Sequence, residues 1–200
     1  MPQVSIENLI SAAKKGQIIS FPTDTVPALA VLPENANLIF ALKERNENKP
    51  LILMGGYLDQ LWDYVKGTPA ELKIWQQVAT QYLPGALTLV LPSSSRVPSA
   101  MNPQDSTTIG IRVPDHSIAC EILSQTGPLA TTSANKSGEP ALLSMGEIDQ
   151  QFPDIFTLKL EQEININLSS GMPSTVIKWM DNKWLVLRQG SVKITPEQPS

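Results

Sequence analysis

Cysteine is nearly missing from this 200-residue sequence: Cys120 stands alone, so neither an intrachain disulfide nor a cysteine-built metal site can form. Such sparing use fits a reducing compartment. Histidine is as scarce, and the single His116, placed after Pro114-Asp115 at the opening of a helical pattern, reads as a capping or surface residue rather than a catalyst. Walker, GxGxxG, HExxH and GxSxG motifs are all absent, which argues against P-loop, dinucleotide, zinc-protease and serine-hydrolase chemistry. There is no basic excess either. With 15 Lys+Arg against 19 Asp+Glu, the net charge of −4 denies the chain the counterion release on which general nucleic-acid binders depend, so any RNA contact has to be local. The N-terminus lacks a basic leader followed by an apolar segment, and no run of about 18 apolar residues occurs. A cytoplasmic protein with no membrane partner is therefore expected. No internal repeat is seen at periods of about 20 to 50 residues.

What is present is apolar material for one core, with 42% hydrophobic and 17% charged side chains in a chain of single-domain length. The 17 prolines are spread as punctuation between apolar runs. One domain over residues 1–200 is expected, with its core at 7–193 and a flexible tail at 194–200. Ser5 is placed to cap a helix whose Ile6, Leu9, Ile10 and Ala13 share a face, and Gly16 to end it. Strands follow at 17–21 and 28–32, separated by the turn residues Pro22-Thr23-Asp24-Thr25. Helical spacing returns at Leu38, Ile39 and Leu42, at 71–83 before Pro84-Gly85 and at 118–124, and more weakly at 144–152. Residues 51–54, 86–91, 109–113 and 129–132 read as further strands, and 176–179 with 184–187 as a hairpin about Met180-Asp181-Asn182-Lys183. Helices and strands alternate without βαβ regularity. The fold class is α/β, with a twisted, open sheet of mixed parallel and antiparallel strands flanked by helices.

Hydroxyl, amide and cationic residues gather in or beside turns at strand ends, where α/β sheets bind ligands. They fall in FPTDTVPALA from Phe21, LKERNENKPLIL from Leu42, TTIGIRVPD from Thr107, PLATTSANKSGEPA from Pro128 and STVIKWMDNKWLVLRQGSV from Ser174. Lys43 and Arg45 would diverge by about 200° on a continuous helix, so they can meet one ligand only if the helix ends there. Otherwise they complement the helix C-terminal dipole. Ser133 and Asn135, just past a strand, can hold a phosphate with their side chains and nearby backbone N–H groups, or form an ordinary turn. Thr108 and Thr131 suit ligand contacts or plain β-branched strand positions.

In this order and at these separations, the five segments resemble the YrdC family of threonylcarbamoyl-adenylate synthases, over residues 7–193. The most specific pieces are Lys43-Glu44-Arg45 before Pro50-Leu51-Ile52, and Ser133-Ala134-Asn135 before Ser137-Gly138-Glu139-Pro140, which are similar to the family's KxR and SxN elements. The resemblance implies a nucleotidyltransferase that joins bicarbonate to the amine of L-threonine and transfers AMP from Mg-ATP to the resulting carbamate, releasing pyrophosphate. Its product would serve the threonylcarbamoyladenosine modification of tRNA through a downstream tRNA threonylcarbamoyl transferase complex. Mg2+ would enter with ATP, and no protein ligand for a metal is assigned.

By the same resemblance Lys43, Arg45, Ser133 and Asn135 are the catalytic set, and with Thr108 and Arg188 they contact ATP. Thr23, Arg112, Thr131 and Ser174 hold threonine, with the Arg112 guanidinium suited to its carboxylate. Arg112 could instead form a surface ion pair, and Thr23, Ser174 and Arg188 could be turn caps or surface charges. The sequence departs from the family at Pro27-Ala28, usually Tyr-Gly, and at Met54, usually histidine, which implies a more apolar amino-acid pocket. Two other readings stay open: a nucleotide-binding paralogue acting on another carbamate or acyl group, and a non-catalytic module for double-stranded RNA. The latter would use a local patch of Lys14, Lys15, Lys43, Arg45, Lys49, Arg112 and Arg188.

Overall fold

Short, strongly apolar strands need cover on both faces. The structure, a computed structural model that describes residues 3–46, 48–160 and 170–194, arranges them in one nine-stranded sheet. The strands are β1 (Ile19–Phe21), β2 (Ala28–Val31), β3 (Ile52–Met54), β4 (Leu87–Pro92), β5 (Thr108–Arg112), β6 (Leu129–Ser133), β7 (Phe156–Thr157), β8 (Thr175–Met180) and β9 (Lys183–Arg188). Their spatial order is β7-β1-β2-β6-β3-β5-β4-β8-β9. The pairs β1/β7, β3/β5 and β4/β8 are parallel and the others antiparallel, so the sheet is mixed, as the irregular alternation of elements implies. β7 is too short to show a sequence period and was not expected.

Among the described residues, five α-helices pack on this sheet: α1 (Ile6–Lys14), α2 (Asn37–Lys43), α3 (Pro69–Tyr82), α4 (Ser117–Thr126) and α5 (Met145–Gln151). The Ser5 side chain caps α1 by accepting from the Asn8 amide, and Gly16 follows the helix at φ 76°. The helix expected from Glu71 begins two residues earlier because Thr68 and Glu71 form a reciprocal capping box. Ser144 and Glu147 form a second such box and complete the weak helical pattern before Phe152. Asp181 and Asn182, at φ 53° and 57°, make the two-residue turn of the closing hairpin. Ile194, within the expected tail, packs against the core, and residues 195–200 lie outside the described residues.

Side-chain alternation along each strand divides the core in two. On one face Leu53, Leu87, Leu89, Leu91, Ile109, Ile111, Ile177 and Trp179 pack with Ile39 and Phe40 of α2 and with Trp75 and Ala79 of α3. On the other face Ile19, Phe21, Ala28, Ala30, Met54 and Leu129 pack under side chains of α1, α4 and α5. That second cluster draws on β1, β2, β3 and β6 but on no residue of β4, β5, β8 or β9. The helices therefore cover half of this face, and the other half is the wall of a cavity.

Candidate active site

The cavity measures about 750 Å³, and its wall alternates with the buried apolar residues of the opposite core. Ile52, Gly110, Val90 and Lys178 stand side by side across β3, β5, β4 and β8. Two residues along the strands, the next row holds Met54, Arg112, Thr88 and Val176. Gly110 keeps the floor low: a Cβ there would come within 2.9 Å of Ile52 Cγ2 and 3.3 Å of Thr88 Cγ2.

α2 ends at Lys43 because Glu44 turns into the left-handed region, φ 49° and ψ 40°. The ending separates Lys43 and Arg45 rather than aligning them. Arg45, on the cavity wall, donates from Nε to the Lys49 carbonyl at 2.8 Å and from Nη2 to the Pro50 carbonyl at 3.1 Å. Lys43 is 2% exposed and lies behind the wall, where Nζ donates to the Ser133 carbonyl and, at 3.2 Å, to Asn135 Oδ1. The Ser133 hydroxyl donates to the same Oδ1 at 2.6 Å, and Asn135 Nδ2 donates to the carbonyls of Lys136 and Glu139, each at 2.7 Å. The two most specific sequence motifs thus meet, chiefly through each other. Burial, reinforced by the positive charges of Arg45 and Lys49, pushes the Lys43 ammonium down to about 7. Of the four expected catalytic residues, Arg45 and Ser133 face the cavity, while Lys43 and Asn135 fasten the loop behind them.

Arg112 reaches the wall from the end of β5 and is 4% exposed, which rules out the surface ion pair. Its Nη2 donates to Asp24 Oδ1 at 2.6 Å, Nη1 to the Thr25 hydroxyl at 2.9 Å and Nε to the Gly85 carbonyl at 3.1 Å. Burial pulls the guanidinium pKa down, and the charge of Asp24 counters that pull. Breaking a buried pair of this kind typically costs about 3–5 kcal/mol, because the remaining charge is left uncompensated. Asp24 and Thr25 are site residues that sequence reasoning missed in favour of Thr23. The buried Thr23 hydroxyl donates to the Val26 carbonyl at 2.7 Å and accepts from the Thr25 amide at 3.2 Å, so it folds its own loop, and Thr25 lines the cavity instead.

Ser174, Arg188, Thr108 and Thr131 all lie on the wall. Ser174 Oγ is 2.9 Å from Thr88 Oγ1, and the Ser174 carbonyl accepts from Arg188 Nε and Nη2 at 3.1 and 2.8 Å. Thr131 Oγ1 donates to the Ile52 carbonyl at 3.3 Å. Ala28 and Met54 make part of the wall apolar, whereas Pro27 lies off it, its carbonyl accepting from the Ala134 amide at 2.9 Å. The seven-cation surface patch is not formed as expected, because Lys43 and Arg112 are buried. His116 is also buried, and its Nδ1 caps α4 by accepting from the Ala119 amide at 3.5 Å, so it is a capping residue and not a surface one.

Among the described residues no group of three or more His, Cys, Asp or Glu side chains converges, and Asp105 is the carboxylate on the cavity wall. The wall combines cations, hydroxyls and an apolar floor, with no histidine set beside a serine or threonine as a base. Such a cleft on the half-covered face of a mixed sheet defines an α/β domain with an open, cation-lined cavity of ligand size. More narrowly, the chain belongs to the Sua5/YciO/YrdC family, whose description reads "Telomere recombination" and which matches residues 11–190. A threonylcarbamoyl-AMP synthase of Vibrio vulnificus (strain YJ016) is 31% identical over 164 residues, or 80% of this chain and 87% of that protein. The crystal structure of Pyrococcus abyssi Sua5 complexed with L-threonine matches with a TM-score of 0.79 at 30% identity, over 92% of this chain and 54% of that one. This chain therefore spans about half of that protein. Escherichia coli YciO shares the fold, with a TM-score of 0.78 at 24% identity over 94% of this chain and 90% of that one.

Proposed function

We propose that this protein is an L-threonylcarbamoyladenylate synthase, forming threonylcarbamoyl-AMP and pyrophosphate from L-threonine, bicarbonate and ATP for tRNA modification. The observation that carries the reading is the division of the cleft. At one end Arg112 is immobilised by Asp24, Thr25 and Gly85, which use three of the five guanidinium N–H groups and leave two for a carboxylate. Elsewhere on the wall stand Arg45 and Lys49, cations suited to phosphates, while Arg188 lies between, near enough to Arg112 for their charges to interact. Between them the described wall residues offer no activated nucleophile. This suits a reaction in which the carbamate, made from the two small substrates, is itself the attacking group and the protein supplies position and charge.

In this mechanism Arg112 orients the amino acid by its carboxylate, Arg45 and Arg188 neutralise the phosphates, and Ser133 contributes its hydroxyl at the cavity wall. Lys43 and Asn135 act as positioning residues that hold the Ser133 loop. Mg2+ would enter with ATP, shielding phosphate charge while keeping several of its own waters. Of the wall residues, Asp105 is the one whose carboxylate could contact it. Such an enzyme would work in the cytoplasm and pass its product to a downstream tRNA threonylcarbamoyl transferase complex. No helix among the described residues is long and apolar enough to cross a membrane.

Ala28 and Met54 favour a second reading, a paralogue that binds nucleotide but takes another carbamate or acyl group. Mass spectrometry of reactions containing Mg-ATP, L-threonine and isotopically labelled bicarbonate distinguishes the two. The synthase yields threonylcarbamoyl-AMP carrying the label, whereas the paralogue binds ATP and yields none.

A further inference from the structure

The β8 strand carries a lysine that the mechanism above does not use. Lys178 is half-buried on the cavity wall, beside Val90 of β4 and opposite Leu185 of β9. Its neighbours Ile177 and Trp179 turn into the opposite core, so strand alternation directs Lys178 to the cavity. Across the row from Ile52 through Gly110 and Val90 to Lys178 there are three strand spacings, about 14 Å. Glycine and valine leave the middle of this row low. Arg45 and Lys49 come from the loop before β3 on one flank and Lys178 from β8 on the other, so cationic side chains stand on both sides of a shallow trough.

Among the described residues the Lys178 ammonium makes no hydrogen bond or ion pair, its backbone being paired in the sheet. Asp105 shares the wall, and its carboxyl is held below the usual range mainly by hydrogen bonds from Thr107, with the charge of Lys178 a smaller contribution. The carboxylate is near enough to feel the ammonium but is engaged by the Thr107 amide at 3.0 Å. The ammonium faces the open cavity, and an anion entering the trough would gain a charge-assisted hydrogen bond there.

We propose that Lys178 is a further anion-binding residue of the cleft, gripping the polyphosphate end of the nucleotide from the β8 side while Arg45 and Lys49 grip it from the other. The identity of the nucleotide rests on the synthase reading; the chemistry recognised is that of a di- or triphosphate. The test is calorimetric titration of the full chain with inorganic pyrophosphate and tripolyphosphate, comparing the unaltered protein with Lys178→Met and Lys178→Arg. Lys178→Met should weaken both probes by about 10- to 100-fold, the loss of one charged hydrogen bond, and Lys178→Arg should restore most of it. L-threonine affinity should be the same in all three. Unchanged polyphosphate affinity in Lys178→Met overturns the proposal. So does an equal loss of threonine affinity, which would signal general damage to the site, or failure of the unaltered protein to bind either probe. No turnover is required. A protein that makes no threonylcarbamoyl-AMP yet shows Lys178-dependent pyrophosphate binding loses the synthase reading and keeps this one.

Discussion

Lys43 is held by a carbonyl and an amide oxygen, with two further cations close by and no ion pair of its own. Its pKa falls to about 7 in the folded chain from 10.5 for an ordinary lysine. Between these values the unfolded chain binds a proton that the folded chain does not, so stability rises as the pH climbs through that window. Below about 7 both states are protonated and the slope from this residue vanishes. Urea unfolding at pH 7 and pH 9 tests this: the unaltered protein should gain stability relative to Lys43→Met over the interval, and parallel pH profiles would show that Lys43 keeps an ordinary pKa. The KxR spacing identifies Lys43 and Arg45 as important without revealing that they point apart. The group that holds Lys43 behind the wall, Asn135, lies 92 residues further along the chain, which no local pattern encodes. Thr25 and Thr23 are equally alike in sequence. Only the folded loop, in which Thr23 bonds to Val26, decides which hydroxyl reaches the cavity.

Elements were legible where a period or a cap repeats over several residues. The α1 face, the long apolar strands and the closing hairpin all follow from such patterns. The two-residue β7 has no period to read, and its place beside β1 depends on tertiary packing around Phe156. The hairpin makes the most direct local test, because Asp181 and Asn182 both occupy left-handed backbone conformations that β-branched residues resist. Asn182→Val should destabilise the protein by about 1–2 kcal/mol, while Asn182→Gly should be tolerated. Chemical denaturation midpoints check both, and an undisturbed Asn182→Val protein would mean that the turn can change its conformation freely. The consequence reaches the site, since β8 and β9 carry Lys178 and Arg188 into the cavity.

At the scale of the whole molecule, function follows from incomplete cover. Helices α1, α4 and α5 bury one half of a sheet face, and the bare half gathers residues from β3, β5, β4, β8 and β9 into a cation-lined cleft. The sequence pointed to hydroxyl, amide and cationic residues in turns at strand ends, but it could not show how much of the face the helices leave open. In the proposed synthase reaction the protein provides cations and geometry while its substrates provide the nucleophile. Pyrophosphate release from Mg-ATP tests this most directly, measured with L-threonine and bicarbonate together and with each withheld in turn. Release is expected only when both are present; release that continues without threonine would mean that another group attacks ATP.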